Sequence, residues 1–301
     1  MTETALQQHR PRKRALMLPK SDVVPASLTA PLTGLARFLI LCFVAVLVMV
    51  PLLATALGGF KELGELRTNP FGLPRVWQWQ NYWGILASER YWRILGNSLF
   101  ISGVTVALTL AVAAPAAFAF AHLRFFGQRF LFNYFILGLT FPFATAILPL
   151  FIKVRDLGLL DTHWGIILPQ VAFSQALSIL LMRNAFRQLP SELLDAALVD
   201  GCGYARFFFW ITLPLSRPIL ATVAVITFVV SWNNFLLPLV VINTNARYPW
   251  TLGLMDYQGE FIVAWQLILA LITLTILPAV LMSVLAQRYI VSGLTAGAVK
   301  G

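Results

Sequence analysis

Residues Leu189–Pro218, LPSELLDAALVDGCGYARFFFWITLPLSRP, form a polar, punctuated interruption in a chain that is otherwise largely apolar. Ser191 after Pro190 suits a helix N-cap, and Glu192 sets a negative charge near the helix's positive end. Leu193, Leu194, Ala197 and Leu198 recur at helical spacing and make one apolar face, with Asp195 and Asp200 away from it. Gly201 suits the left-handed position that ends a helix. A second short helix bearing Tyr204, Phe207, Phe208 and Ile211 is expected along a membrane surface, and Pro214 and Pro218 lead out of it. The segment therefore reads as a helix–turn–helix with the small residues Ala196 and Ala197 at its tip. Small side chains permit close docking into a partner's groove; an amphipathic helix resting on lipid has the same pattern.

The flanks decide the class. The chain of 301 residues is 59% hydrophobic and only 11% charged, with mean hydropathy +0.79, whereas a soluble globule carries about 25% charged residues. Six stretches reach the roughly 20 residues a membrane helix needs: Leu35–Leu57, Asn97–Ala121, Phe130–Ile152, Trp164–Met182, Pro218–Ile242 and Phe261–Ala286. Lipid offers no partners to backbone polar groups, so an all-α integral membrane fold with six transmembrane helices is expected. With the N-terminus inside, 14 of the 22 basic residues and five acids fall on the cytoplasmic side, and eight basic residues with seven acids outside. Both termini are thus expected inside, and the net charge of +10 reads as a topology signal rather than a nucleic-acid footprint. The chain divides into a basic tail (1–34), a first, uncleaved membrane helix (35–57), an outer segment (58–96), a core of five more membrane helices (97–290) holding the loop at 189–217, and a C-terminal tail (291–301).

What the spans lack narrows the chemistry. All 12 acids lie in tails or loops. Proton- and ion-coupled carriers use buried carboxylates as relays or ligands, so a stand-alone secondary carrier or channel is the disfavoured alternative. No Gly-x(4)-Gly-Lys-Ser/Thr loop cradles phosphates, and no His-Glu-x-x-His or Gly-x-Ser-x-Gly pattern offers hydrolytic chemistry. No metal is expected: Cys42, Cys202 and the scattered His9, His122 and His163 lack ligand spacing. Prolines in or near every span predict kinks. Trp77, Trp79, Tyr82, Trp83, Tyr91 and Trp92 in the outer segment suit the lipid headgroup level or an extracytoplasmic partner. Trp232, Asn233 and Asn234 fall near the middle of the fifth expected span. With Tyr134 and Gln170, and more weakly Ser174 and Gln175, they are candidates to line a substrate path; hydrogen bonding between helices is the alternative role.

Asp195-Ala196-Ala197, three residues, Gly201, nine residues, then Ile211-Thr212-Leu213-Pro214 resembles the EAA loop of binding-protein-dependent ABC importer permeases. Asp195 stands where that family usually has Glu, keeping the charge with a shorter reach. Leu157-Gly158-Leu159-Leu160-Asp161-Thr162 with Trp164-Gly165, Ser231-Trp232-Asn233-Asn234-Phe235, and the ending from Gln287 to Gly301 resemble the maltose-type carbohydrate permeases. The resemblance, from about Phe38 onward, implies a type I ABC importer permease of the inner membrane. It implies that Asp195, Ala196, Ala197, Asp200 and Gly201 contact an ATPase. The implied partners are a second related permease, two ATPase subunits holding ATP and Mg, an extracytoplasmic solute-binding protein and a sugar. No cofactor in this chain itself is implied.

Overall fold

The structure is a computed structural model and describes residues 26–259 and 262–298. Residues 1–25, with Arg10, Arg12, Lys13, Arg14 and Lys20 of the expected basic tail, 260–261 of the last outer loop, and 299–301 with Lys300 lie outside the described residues. The chain divides into two compact units, one up to Leu53 and one from Ala54 onward. The first is the leading part of α1 (Ala26–Gly59), an uninterrupted apolar helix of spanning length.

The second unit begins with the end of α1 and a short outer segment. Here lie α2 (Leu63–Thr68) and α3 (Trp79–Ala87), which buries Tyr82 and Ile85 while Trp79 and Trp83 stay exposed. Lys61 is fully buried, and its ammonium donates to the carbonyls of Asn69 (2.5 Å) and Pro70 (3.2 Å), folding this segment on itself. The second span, α4 (Glu89–His122), starts at Glu89 rather than Asn97, because Ser88 caps it by accepting from the Tyr91 amide.

Two expected spans are broken. In place of one helix over Phe130–Ile152 there are α5 (Gln128–Leu137) and α6 (Ile147–Asp156), joined by 3₁₀ turns at Gly138–Thr140 and Phe143–Ala146 and bent by 95°. Pro142 sits at the bend, where a ring without an N–H cannot continue a helix. After α7 (Trp164–Phe186) and the loop elements α8 (Ser191–Val199), α9 (Tyr204–Phe207) and α10 (Leu213–Leu215), α11 runs from Arg217 to Trp232 and stops. The next helix, α12, covers Leu236–Val241. A helix through this point would set the Pro238 ring against the Asn234 carbonyl; that carbonyl instead accepts from Thr251 Oγ1 at 3.0 Å. Asn233 therefore caps the end of α11 rather than lying mid-helix. By contrast, Pro115 and Pro169 lie inside helices that run on through them.

The chain closes with α13 (Trp250–Gly253) and α14 (Trp265–Ala298), the latter running on through Pro278. Among the described residues four helices are long and apolar enough to span, or up to six if two bent pairs, Gln128–Thr140 with Phe143–Asp156 and Tyr204–Leu215 with Arg217–Trp232, each count as one span. The helix α4 packs along α7, and α11 lies against α4, α7 and α14. Three buried clusters result. One, around Phe118, Met182, Phe186 and Phe207, joins the 189–217 loop to the ends of α4 and α7.

Candidate functional site

The helix α8 is built much as its residues dictate, with one difference at its start. Pro190 is the capping residue, Ser191 is the first helical residue, and neither makes a side-chain cap bond. Its end is a complete Schellman closure: Gly201 takes φ +77°, the Cys202 amide donates to Ala197 O at 2.8 Å, and the Gly201 amide to Leu198 O at 3.1 Å. Asp195, Ala196, Asp200 and Gly201 are exposed and form one rim. Ala197 faces inward, 6% exposed, within the cluster that holds Phe207 and Phe208. Leu193 and Leu198, expected on the apolar face, are exposed.

The second half of the loop buries part of the aromatic face expected along the membrane surface. Phe208–Thr212 forms a π turn, and Phe207 and Phe208 pack on Phe118 with ring centroids 6.2 and 5.2 Å away. Burying a Phe is worth about 1.5–3 kcal/mol, so these rings anchor the loop to α4. Only Tyr204, Phe209 and Trp210 of its aromatics remain exposed. The sequence could not assign the faces, because the π turn inserts an extra residue into the helical period. At Ser216 the chain bends by 76° into α11. The loop thus packs into one buried cluster with the ends of α4 and α7 and the start of α11.

A cavity of about 360 Å³ lies farther along the same helices. It collects the two broken spans: Phe141 and Phe143 from the α5–α6 bend and Asn234 from the α11–α12 break line it. Non-helical backbone at membrane depth is tolerated only where protein buries it or where it lines a hydrated cavity. The 16 residues of α11 rise about 24 Å, short of a roughly 30 Å hydrocarbon core. Gln170 and Ser174 from α7, Thr105 from α4 and Ser231 from α11 add polar groups to a lining that also holds Phe173 and aliphatic residues such as Leu177 and Ile226.

The sequence candidates divide around this cavity. Gln170, Ser174 and Asn234 line it together. Tyr134 lines a neighbouring cavity of about 380 Å³ with Phe141 and Phe173. Gln175 is buried beside them but is not on the wall. Asn233 donates to the Val229 carbonyl one turn back. Trp232 is 2% exposed, stacked on Phe228 at 5.4 Å and donating to Thr275 O at 3.2 Å, so its ring belongs to the outer core. Thr105, Thr227 and Ser231 were missed as candidates; Thr105 and Thr109 on an alanine-rich helix, four residues apart, were the available signal.

On the outer side a carboxylate locks two loops. Asp161, at φ 55°, accepts from the Asn243 and Thr244 amides (3.0 and 2.9 Å), Thr244 Oγ1 (2.5 Å) and the Arg247 guanidinium (2.7 Å). The Thr244 hydroxyl first, then its amide and the other donors, holds the Asp161 carboxyl down at about 2. Arg90 pairs bidentately with Asp256 and lies over the Tyr248 ring. Ser98, opening the predicted second span, accepts from the Trp250 amide at 2.8 Å.

Comparison with known proteins places this arrangement among relatives. The profile of the family described as "Binding-protein-dependent transport system inner membrane component" matches residues 103–291. An arabinooligosaccharides transport system permease protein of Halalkalibacterium halodurans is 35% identical over 277 residues, covering 91% of this chain and 99% of that protein. The diacetylchitobiose uptake system permease protein of Streptomyces coelicolor is 33% identical over 255 residues, 84% of each chain. A trehalose transport system permease protein of Mycobacterium tuberculosis is 34% identical over 76% of this chain and 84% of its own length. Among solved structures, a chain of a bacterial ABC transporter involved in the import of the acidic polysaccharide alginate superposes with TM-score 0.75. It is 22% identical and the match covers 87% of this chain and 98% of that one, a likeness of fold.

Proposed function

This chain belongs to the family of binding-protein-dependent transport system inner membrane components, and on that footing we propose that it carries a sugar or oligosaccharide inward through the cytoplasmic membrane, driven by ATP hydrolysed on partner subunits. The relatives' names support a saccharide cargo: arabinooligosaccharides, diacetylchitobiose and trehalose. The proposed assembly holds this chain, a second permease, two ATPase subunits and an extracytoplasmic binding protein. ATP and Mg²⁺ belong to the ATPases, since this chain carries no phosphate-cradling loop. Both termini face the cytoplasm, as the basic loops favour.

The observation that carries the proposal is the fusion of the 189–217 loop to the spans. Asp195, Ala196, Asp200 and Gly201 offer an exposed rim to the ATPase, while Ala197, Phe207 and Phe208 bind the same helix to α4 and α7. Packed interiors transmit displacement because they have little free volume to absorb it. Closure of the ATPase dimer on ATP would then move the rim, and α4, α7 and α11 would follow as one body. Those helices line the cavity, so its access changes with the nucleotide state. Such coupling needs contacts that differ in free energy between the two states.

The test is co-purification from solubilised membranes, native chain against Gly201→Asp, with each eluate assayed for ATP hydrolysis. Retention of an ATPase and a second permease by the native chain, lost in the variant, is the expected result. A folded native chain that brings no ATPase through several mild detergents would sink the importer reading and favour a stand-alone carrier.

A further inference from the structure

We infer that this chain's side of the path is built for an uncharged polyhydroxy substrate, with Gln170 as the hydrogen-bond donor that reads it. The inference rests on the saccharide-import reading and narrows it. None of the described residues lining the cavity is Asp, Glu, Lys, Arg or His. A carboxylate or ammonium entering it would leave water without meeting an opposite charge from this chain, and low-dielectric surroundings make that costly. The lining combines hydroxyl and amide groups with the Phe141, Phe143 and Phe173 rings and with aliphatic side chains such as Leu177, Ile226 and Val230. Phe143 and Phe173 pack edge to face at 5.0 Å. A sugar presents the matching pair of surfaces, hydroxyls at the ring's edge and C–H groups on its face. The cavity volume of about 360 Å³ lies toward the lower end of the roughly 300–1,000 Å³ of small-ligand sites, which suits a short saccharide segment.

Gln170 has a defined polarity within this wall. Ser231 Oγ lies 2.6 Å from Gln170 Oε1, a spacing of O–H···O rather than N–H···O bonds, and Thr105 Oγ1 lies 3.3 Å from the same oxygen. The short Ser231 bond thus marks one end of the amide as acceptor and leaves the other end as donor. That other end, Nε2, is buried and has no partner among the described residues. An amide nitrogen left unpaired inside a protein is costly, and the cost is relieved by any arriving acceptor. A sugar hydroxyl or ring oxygen supplies such an acceptor. Nε2 is shielded in this conformation, so its pairing waits on the rearrangement that admits substrate. Ser174 does not compete for it, because its hydroxyl donates to the Gln170 backbone carbonyl at 2.8 Å.

The experiment is uptake by cells carrying the complete importer, against a deletion strain. The radiolabelled panel pairs neutral probes (maltose, trehalose, cellobiose, arabinobiose, diacetylchitobiose) with acidic ones (digalacturonate, an alginate dimer). Importer-dependent uptake of a neutral probe and of neither acid is expected. Uptake of either acid would overturn the inference while leaving the sugar-importer reading standing; uptake of no probe at all would count against that reading and remove the basis of both. The transported sugar is then presented as its monodeoxy derivatives to native chain and to Gln170→Leu. Native uptake should fall at least tenfold on one derivative, and the variant should not distinguish that derivative from the parent sugar. Because each chain is normalised to its own parent-sugar uptake, a lower amount of folded variant does not affect the comparison. If Gln170→Leu keeps the native discrimination on every derivative, Gln170 is only an interhelical bond and the inference fails.

Discussion

Replacing Gly201 separates what the loop needs as geometry from what it needs as a contact. At φ +77° an L-residue meets its own carbonyl, at a cost of roughly 1–2 kcal/mol, less for Asn, which visits this region more readily. An added Cβ meets no atom within 4 Å among the described residues beyond its chain neighbours, so the cost is conformational. Gly201→Ala should therefore shift the local balance from the closed end of α8 to a frayed one by about 5–30-fold, and Gly201→Asn by a fraction of that. Hydrogen exchange reads the shift directly at the Cys202 amide, whose bond to Ala197 O closes the motif. Binding-protein-stimulated ATP hydrolysis in proteoliposomes reads the consequence. If hydrolysis follows amide protection, Asn remaining near native and Ala falling, the loop works through its shape. If Asn and Ala lose hydrolysis alike while Asn keeps its protection, the space beside Gly201 is occupied by the ATPase. Native protection of the Cys202 amide in Gly201→Ala would refute the reasoning, since the strain argued from φ would then not exist.

Ala197 and Ala196 should part company although they are neighbours: Ala197→Leu overpacks a buried site and should cost about 1–3 kcal/mol, lowering thermal stability in detergent. Ala196→Leu, at an exposed position, should leave the melting temperature within experimental scatter and weaken ATPase retention on purification. Gly165→Ala should destabilise strongly, because the new Cβ would stand 2.5 Å from the Leu159 carbonyl oxygen, a backbone atom that cannot swing away; the expressed, folded fraction measures it. Asp161 has its folded pKa lowered from 3.8 to about 2, so its stabilisation is complete above about pH 4 and lost as pH falls toward 2. Melting curves from pH 5 to 2 should show that loss in the native chain and a flatter profile in Asp161→Asn; identical profiles would dismiss the outer lock.

The sequence by itself determined the class of the molecule and the position of its loop. Six long apolar stretches without acids leave the backbone no choice but helix in lipid, and Pro190, Gly201 and the intervening period mark α8 because caps and left-handed glycines act within a few residues. The spacing from Asp195 to Pro214 carried the family for the same reason, being local. Where helices end inside the membrane was only half legible. The third expected span is interrupted at Pro142 and the fifth just before Pro238, yet Pro115 and Pro169 lie inside continuous helices, although the side chain is the same. The difference lies in whether the surrounding helices can accommodate a bend, which is a property of packing. Tertiary structure alone decided which residues meet. It turned Ala197 and Phe207 into the core and left Ala196 outside, put Trp232 in the outer core, and gathered Thr105, Gln170 and Ser231 from three helices around one unpaired amide. A hydrogen bond between residues 61 positions apart leaves no trace in local periodicity, because it exists only when α7 and α11 have chosen their faces.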